Sequence, residues 1–306
     1  METVSRSIQH SAKATVRSVG HVEDPPPVVQ RTEGGAAEIV REARAVRGDI
    51  VETLFRTGGG HYGGSLSVVE ILLALYRTQL RVSPTHPFHA QRDRLILSKG
   101  HAAVALYAVL RRVGFFDTPL DGYARFDSPL EGHPDMTSVT GVDFSTGSLG
   151  QGLSVGLGMA LGLSPSQRNV WVVLGDGECQ EGQVWEAAML AASCRVKNLF
   201  AIVDSNRYQE WGRRGSDEED CPAPVPDLAA KWRAFGWHAI ECDGHDVAAL
   251  VRAMEAARAH TGGPTAILAD TRKGKGIPMA EADPTRFHCT DVDFEEHQVM
   301  IGCLTS

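Results

Sequence analysis

No apolar run in the 306-residue chain approaches the length of a membrane span, so a helical membrane anchor is not expected. No Cys-x-x-Cys pair occurs among Cys179, Cys194, Cys221, Cys242, Cys289 and Cys303, and their spacing matches no zinc site. Reduced thiols in a cytoplasmic protein are the expectation, with Cys179 alone beside a candidate site. Positive charge is in deficit: 30 Lys and Arg against 38 Asp and Glu, a net charge of -8. That balance argues against nonspecific nucleic-acid binding. Neither an internal repeat nor a second domain is evident. What is present, 42% hydrophobic and 22% charged residues, is the composition of a globular protein.

Residues 1–35 stand apart. They hold Arg6, Lys13, Arg17, scattered Ser and Pro25-Pro26-Pro27, without a secretory apolar core or a sustained amphipathic face. A cleaved organellar peptide would look similar; a disordered, solvated tail is the expectation. A single domain is expected from 36 to 306.

Within it, 36–57 places Ile39, Ala43, Val46, Ile50 and Leu54 on one helical face, and Gly58-Gly59-Gly60 ends the run. A second helix is predicted over 66–80. Residues 94–97 predict a short buried strand, followed by Ser98-Lys99-Gly100-His101 and an Ala-rich helix. The Gly-, Pro- and Asp-rich stretch 114–146 predicts a long loop of functional kind. Residues 150–163 predict a helix in which Gly152 and Gly156 share a face, as do Gly158 and Gly162. Each such glycine costs about 1 kcal/mol relative to Ala, which close packing inside the fold or between subunits would offset. Strands are predicted over 170–174, 199–203, 237–241 and 265–270, with a helix over 247–260. This alternation implies right-handed βαβ crossovers, hence an α/β fold: a parallel β-sheet with helices on both faces. The acidic run 217–220 reads as solvated surface.

Two strand ends carry the chemistry. The 170–174 run ends at Gly175-Asp176-Gly177, and the 199–203 run ends at Asp204-Ser205-Asn206. In an open parallel sheet, ligands bind in the crevice beyond the strand C-termini. One carboxylate and one amide oxygen suit magnesium, which keeps other positions for diphosphate oxygens and water. Gly175 and Gly177 let backbone approach a diphosphate closely. A Gly-Asp-Gly is also an ordinary strand-to-helix turn; Asn206 at the end of the next strand favours the ligand site. A G-x-G-x-x-G fingerprint is absent at this turn, which speaks against a nicotinamide cofactor.

The run GDGECQEGQVWEAAMLAAS, with Asn206 beyond it, resembles the thiamine diphosphate motif in its transketolase form. Further segments follow the N-terminal half of transketolase in order: Gly60-His61-Tyr62-Gly63-Gly64, Ser98-Lys99-Gly100-His101, Gly132-His133-Pro134-Asp135 and Thr146-Gly147-Ser148-Leu149-Gly150-Gln151-Gly152. Asp243-Gly244-His245-Asp246 and Arg272-Lys273-Gly274-Lys275-Gly276 complete the series. The resemblance implies a thiamine diphosphate-binding PP domain, with the cofactor held through Mg2+, or Ca2+ or Mn2+ in its place. It implies ketol transfer: a two-carbon unit passes from a ketose or ketose phosphate to an aldose or other aldehyde. It also implies a split enzyme, in which a separate C-terminal, pyrimidine-binding subunit completes an α2β2 heterotetramer and this chain alone is inactive.

Roles follow from the resemblance residue by residue. Asp176, Asn206 and the main-chain carbonyl of Tyr208 would ligate the metal, and Gly175 and Gly177 would lend backbone to the diphosphate. The Gly147 carbonyl would meet the aminopyrimidine, and Leu149 would pack on the thiazolium. Glu181 would couple the two active sites of the assembly; its alternative is a helix-start carboxylate near the positive dipole end. His61, His101, His133 and His288 would line the substrate channel and exchange protons near neutral pH. His245 reads as structural, at a turn, and His86 and His89 as surface. Two departures stand out: Cys289 follows His288 where Gly is usual, and Glu210-Trp211 stand where the family has an apolar residue, which flanks the thiazolium face opposite Leu149, and then an Asp. The alternatives are an E1 α-type or deoxyxylulose phosphate synthase-like subunit, against which the histidine contexts speak, and a noncatalytic paralogue, against which Asp176 and Asn206 speak.

Overall fold

The computed structural model describes residues 35–163, 168–210, 212–213 and 227–305. Expectations placed on the tail before residue 35, on Trp211, on 217–220 and on Cys221 lie outside the described residues. The chain runs through α1 (Gly35–Thr57), α2 (Tyr62–Ser67), α3 (Val69–Ala74), β1 (Arg94–Leu97), α4 (Ala103–Val113), α5 (Gln151–Gly162) and β2 (Val170–Gly175). It continues with α6 (Gly182–Ser193), β3 (Leu199–Ser205), the short pair β4 (Tyr208–Gln209) and β5 (Gly212–Arg213), and α7 (Leu228–Ala234). β6 (His238–Asp243), α8 (Val247–Ala259), β7 (Thr265–Asp270), α9 (Pro278–Ala282) and α10 (Phe294–Thr305) follow.

Five strands pair in parallel in the order β1-β2-β3-β7-β6. Alternate side chains point to opposite faces of a strand, and each face has its own core. Leu95, Leu97, Trp171, Val173, Phe200, Ile202, Ile267 and Ala269 join the core beneath α1, α3, α4, α8 and α10. Ile96, Val170, Val172, Leu174, Leu199, Ala201, Val203, Ala266 and Leu268 join the core beneath α5, α6 and α7. Each fully buried Val, Leu or Ile side chain contributes about 1.5–3 kcal/mol, so both faces must be covered and the strands read as continuous apolar runs.

After β2 and β3 the chain turns to the face of α6 and α7; after β1 and β7 it turns to the other face. The connections therefore diverge at the strand C-termini and open the crevice in which ligands of such sheets bind.

The helix expected over 66–80 is three pieces. Helical structure begins at Tyr62, breaks at Val68 (φ -90, ψ -3), resumes as α3 and widens into a π-helical turn at Leu75–Gln79. Its side chains are almost all buried, so periodicity could not mark the ends. The 114–146 stretch is irregular apart from a 3-10 turn at Leu120–Gly122. β6 starts and ends slightly later than expected, closing at Asp243. α10 escaped the sequence pattern: Phe294 and Val299 are exposed while His297, Met300 and Leu304 are buried. It packs along α1, with the His297 ring stacked on Phe55 at 4.0 Å.

Candidate active site

All five strand C-termini of the sheet deliver polar residues to one edge. Asp176 follows β2. Its Oδ1 accepts the Gly177 amide at 2.8 Å and its Oδ2 accepts the Arg207 amide at 2.7 Å, so backbone donors from both sides fix the carboxylate. Asn206 follows β3. Its Oδ1 accepts the Tyr208 amide at 3.1 Å, while its Nδ2 faces Ser67 Oγ at 3.3 Å and Asp204 Oδ2 at 3.5 Å. Asp176 is thus tied directly to the 206–208 turn that holds the other two expected ligands. Arg207 adopts φ +68, a left-handed conformation that costs a non-glycine residue about 1–3 kcal/mol. Its amide bond to Asp176 and its guanidinium bonds to Asp270, at 2.7 and 2.8 Å, hold it there.

Beneath this turn lies a hub that no sequence motif assigned. Asp204 is fully buried and accepts from Lys99 Nζ, Ser67 Oγ and Thr271 Oγ1. Burial pushes its carboxyl up, but the Lys99 ammonium and the hydroxyls more than offset this and hold it below the usual range. Lys99 also donates to the Gly64 carbonyl at 2.9 Å. The hub joins the C-terminal ends of β1, β3 and β7 to α2. Glu178 does the same on the opposite side of the β2 turn: it accepts the amides of Gly150 at 2.8 Å and Gly175 at 3.0 Å and the Ser98 hydroxyl. Burial raises its carboxyl, opposed by those donors. The only signals in the sequence were the places of Lys99 and Glu178 inside the matched motifs and of Asp204 at a strand end.

The histidines separate into three and one. Gly60 and Thr290 exchange both backbone hydrogen bonds, at 2.8 and 3.1 Å, which brings His61 beside the turn of His288. The ring of His61 lies 5.3 Å from that of His101 and 5.5 Å from that of His288, and His101 and His288 are 5.8 Å apart. Burial, then the charges of His133, Lys273 and Lys99, lower His61 to about 4. Burial, then Lys273, His61 and Lys99, lower His288 to about 4 as well. His101, the most deeply buried, is held well below the ordinary value by burial and then Lys99. All three rings are neutral at pH 7. Lys273 Nζ sits 2.8 Å from His288 Nδ1. An ammonium donates there, so Nδ1 accepts and Nε2 keeps the ring proton. Burial and the Lys99 charge lower Lys273 to about 8, against the pull of Asp176, Asp204 and Glu210. His133 stays outside the triangle. It is exposed, and a Cβ at Gly147 (φ +155) would lie 3.2 Å from its ring. Only glycine adopts that backbone without strain, so Gly147 seats His133.

Leu149, 36% exposed, precedes α5, and Glu181 is exposed at the start of α6, against Gly150. Glu210 is exposed, and its charge reaches Lys273 and Cys289. His86 is exposed and His89 half-buried. Among the described residues no group of three or more His, Cys, Asp or Glu could hold a metal ion; the Asp176–Asn206–Tyr208 set is one carboxylate with an amide and a carbonyl oxygen. No helix there is long and apolar enough to cross a membrane.

Glycines, oxygen donors and lysines thus gather at one edge of a parallel α/β sheet, in the class of fold that binds its ligand beyond the strand C-termini. The chain belongs to the transketolase, thiamine diphosphate binding domain family, which matches residues 36–299. It is 41% identical over 247 residues to a 6-deoxy-6-sulfo-D-fructose transketolase subunit of Clostridium sp. (strain MSTE9), covering 80% of this chain and 88% of that protein. It is 38% identical to an apulose-4-phosphate transketolase subunit of Actinobacillus succinogenes, covering 82% and 90%. The transketolase of Campylobacter jejuni superposes with a TM-score of 0.77 at 27% identity, over 88% of this chain and 43% of that one.

Proposed function

We propose that this chain is the cofactor-binding subunit of a two-chain transketolase that moves a two-carbon ketol unit from a ketose to an aldehyde acceptor. The carrying observation is the neutral triangle of His61, His101 and His288 beside the strand ends of Asp176 and Asn206. The subunit names of the relatives support a separate partner chain, and an α2β2 heterotetramer is the assembly proposed. The sulfonated and phosphorylated ketoses in those names support a donor with an anionic terminus.

The oxygen donors fit magnesium, or calcium or manganese in substitution: the Asp176 carboxylate, the Asn206 amide oxygen and the Tyr208 carbonyl. Lys273, with Gly175 and Gly177, suits a diphosphate beside that ion. When bound, thiamine diphosphate supplies the carbanion chemistry. The protein's part is orientation and proton exchange. His288 offers an Nε2–H donor, fixed by Lys273 at Nδ1. His61 and His101, neutral, can take a proton from a sugar hydroxyl or return one. His133, at the rim with Gly147, would meet substrate entering from solvent. Leu149, partly exposed, would pack on the thiazolium ring, and Glu181 would couple the two active sites of the assembly.

Calorimetric titration with magnesium and thiamine diphosphate, with and without the partner chain, tests this reading. Weak binding by the chain alone, tighter binding with the partner and loss of binding on metal removal are expected. Ketol transfer by a clean preparation of the isolated chain would refute its dependence on a partner.

A further inference from the structure

His245 lies outside the histidine triangle, in the turn after β6. Its ring bridges two elements. Nδ1 is 3.1 Å from Glu70 Oε2 on α3, and Nε2 accepts the backbone amide of Arg272 at 2.8 Å. A backbone N–H can only donate, so Nε2 is bare and the ring proton sits on Nδ1, donated to Glu70. Protonation of Nε2 would set two N–H groups against each other and break the contact. Glu70 is itself fixed. Arg47 of α1 donates to the same Oε2 at 2.7 Å, and both side chains are buried. Burial raises the Glu70 carboxyl, but His245 and Arg47 outweigh it and hold it at about 2.

The other partner of the ring opens the 272–276 loop. Gly244 donates to the Asp270 carbonyl at 2.8 Å, and a Cβ at Gly244 would lie 2.4 Å from Thr271 Cγ2, so the β6 and β7 turns touch. The loop's far side is tied by Gly274 N to the Gly63 carbonyl at 3.1 Å and by Gly276 N to Glu281 at 2.8 Å. Its near side has the His245 bond to Arg272, one residue before Lys273. The Lys273 stem lies against Gly63, where a Cβ would sit 2.8 Å from Lys273 Cγ, and its Nζ reaches His288. An error at the Arg272 amide therefore passes directly to the amine that sets the His288 tautomer.

We infer that His245 is a positioning residue, a Glu70-anchored imidazole that fixes the Arg272 amide and so aims Lys273 at His288. The role deepens the transketolase reading and rests on it for its effect on turnover, but the geometry of the loop can be read separately. The ring is only partly buried and lines the same cleft as Asn206, Arg207 and Tyr208. Its two polar bonds, rather than filling of the core, are what a substitution removes.

The test uses the complex with its partner chain and four variants: His245→Phe, His245→Gln, Lys273→Gln and the double variant His245→Phe/Lys273→Gln. His245→Phe is expected to lower kcat/KM about 10-fold or more, the scale of small misplacements near the chemistry, with an unfolding midpoint near wild type. His245→Gln, which keeps one donor and one acceptor, is expected to recover most of the loss. In the Lys273→Gln background His245→Phe should cost nothing further, because coupled residues are not additive. Hydrogen exchange of the 271–277 amides should quicken in His245→Phe and return in His245→Gln. Nitrogen NMR of wild-type His245 should show a protonated Nδ1 and a bare Nε2, a reading that survives if a variant fails to fold. An equal loss in the Lys273→Gln background, unchanged exchange and activity, or an Nε2–H ring overturns the inference. If the wild-type complex transfers no ketol group, the transketolase reading falls, and exchange and tautomer decide the positioning role by themselves.

Discussion

The neutral histidines tie the site to pH. His61 and His288 are held at about 4, against 6.5 for a free imidazole, so between these values the folded chain binds fewer protons than the unfolded one. Their contribution to stability is complete above pH 6.5 and is lost as the pH falls through about 4. Urea unfolding at stepped pH is expected to show stability declining in that window, and replacing both residues by Phe should flatten the decline. A second prediction concerns the ion pair under the 206–208 turn. Lys99→Met leaves Asp204 buried without its cation, and breaking such a pair costs about 3–5 kcal/mol. The urea midpoint should drop accordingly; an unchanged midpoint would mean that Ser67 and Thr271 alone can hold the charge.

At the level of elements, α5 shows which glycines packing requires. A Cβ at Gly156 would lie 2.5 Å from Val172 Cγ2 in β2, and one at Gly152 2.3 Å from Ser98 Oγ. These residues let the helix lie directly on the sheet. Gly158 and Gly162 have no atom within 4 Å of a built Cβ, so nothing within the described fold offsets their helix cost. Gly156→Ala is expected to destabilise by about 1–3 kcal/mol through overpacking. Gly158→Ala should stabilise the isolated chain by up to about 1 kcal/mol. Thermal unfolding of the two variants decides between them by sign. The sequence showed the pairing of glycines on faces, but which face met the sheet depended on where β1 and β2 lay.

For the whole molecule, the proposed assembly supplies what one chain lacks. Leu149 at the site, Leu161 on α5, and Met189 and Leu190 on α6 stay exposed. Sedimentation of the chain mixed with its pyrimidine-binding partner is expected to give a 2:2 complex. Leu190→Lys should weaken that complex while leaving the isolated chain folded. A mixture that stays as separate chains at assay concentrations would contradict the assembly.

The residues by themselves determined a good deal. Short Val- and Ile-rich runs alternating with helical stretches pointed to a parallel sheet, so the α/β class and the placement of Asp176 and Asn206 beyond strand ends were readable. The motif places of His61, His101, His133 and His288 were readable, though not that three of their rings meet. Tertiary structure alone decided the rest. It split the 66–80 helix, because a segment buried all round carries no period. It placed His133 at the rim rather than in the triangle, and made Asp204, Lys99 and Glu178 hubs, because a buried charge is identified by partners far away in the chain. It also made the turn residue His245 a bridge, since its two bonds join residues 70, 245 and 272. Periodicity and spacing record which side chains must leave water; which of them then meet is set by the way the strands stack and the loops return.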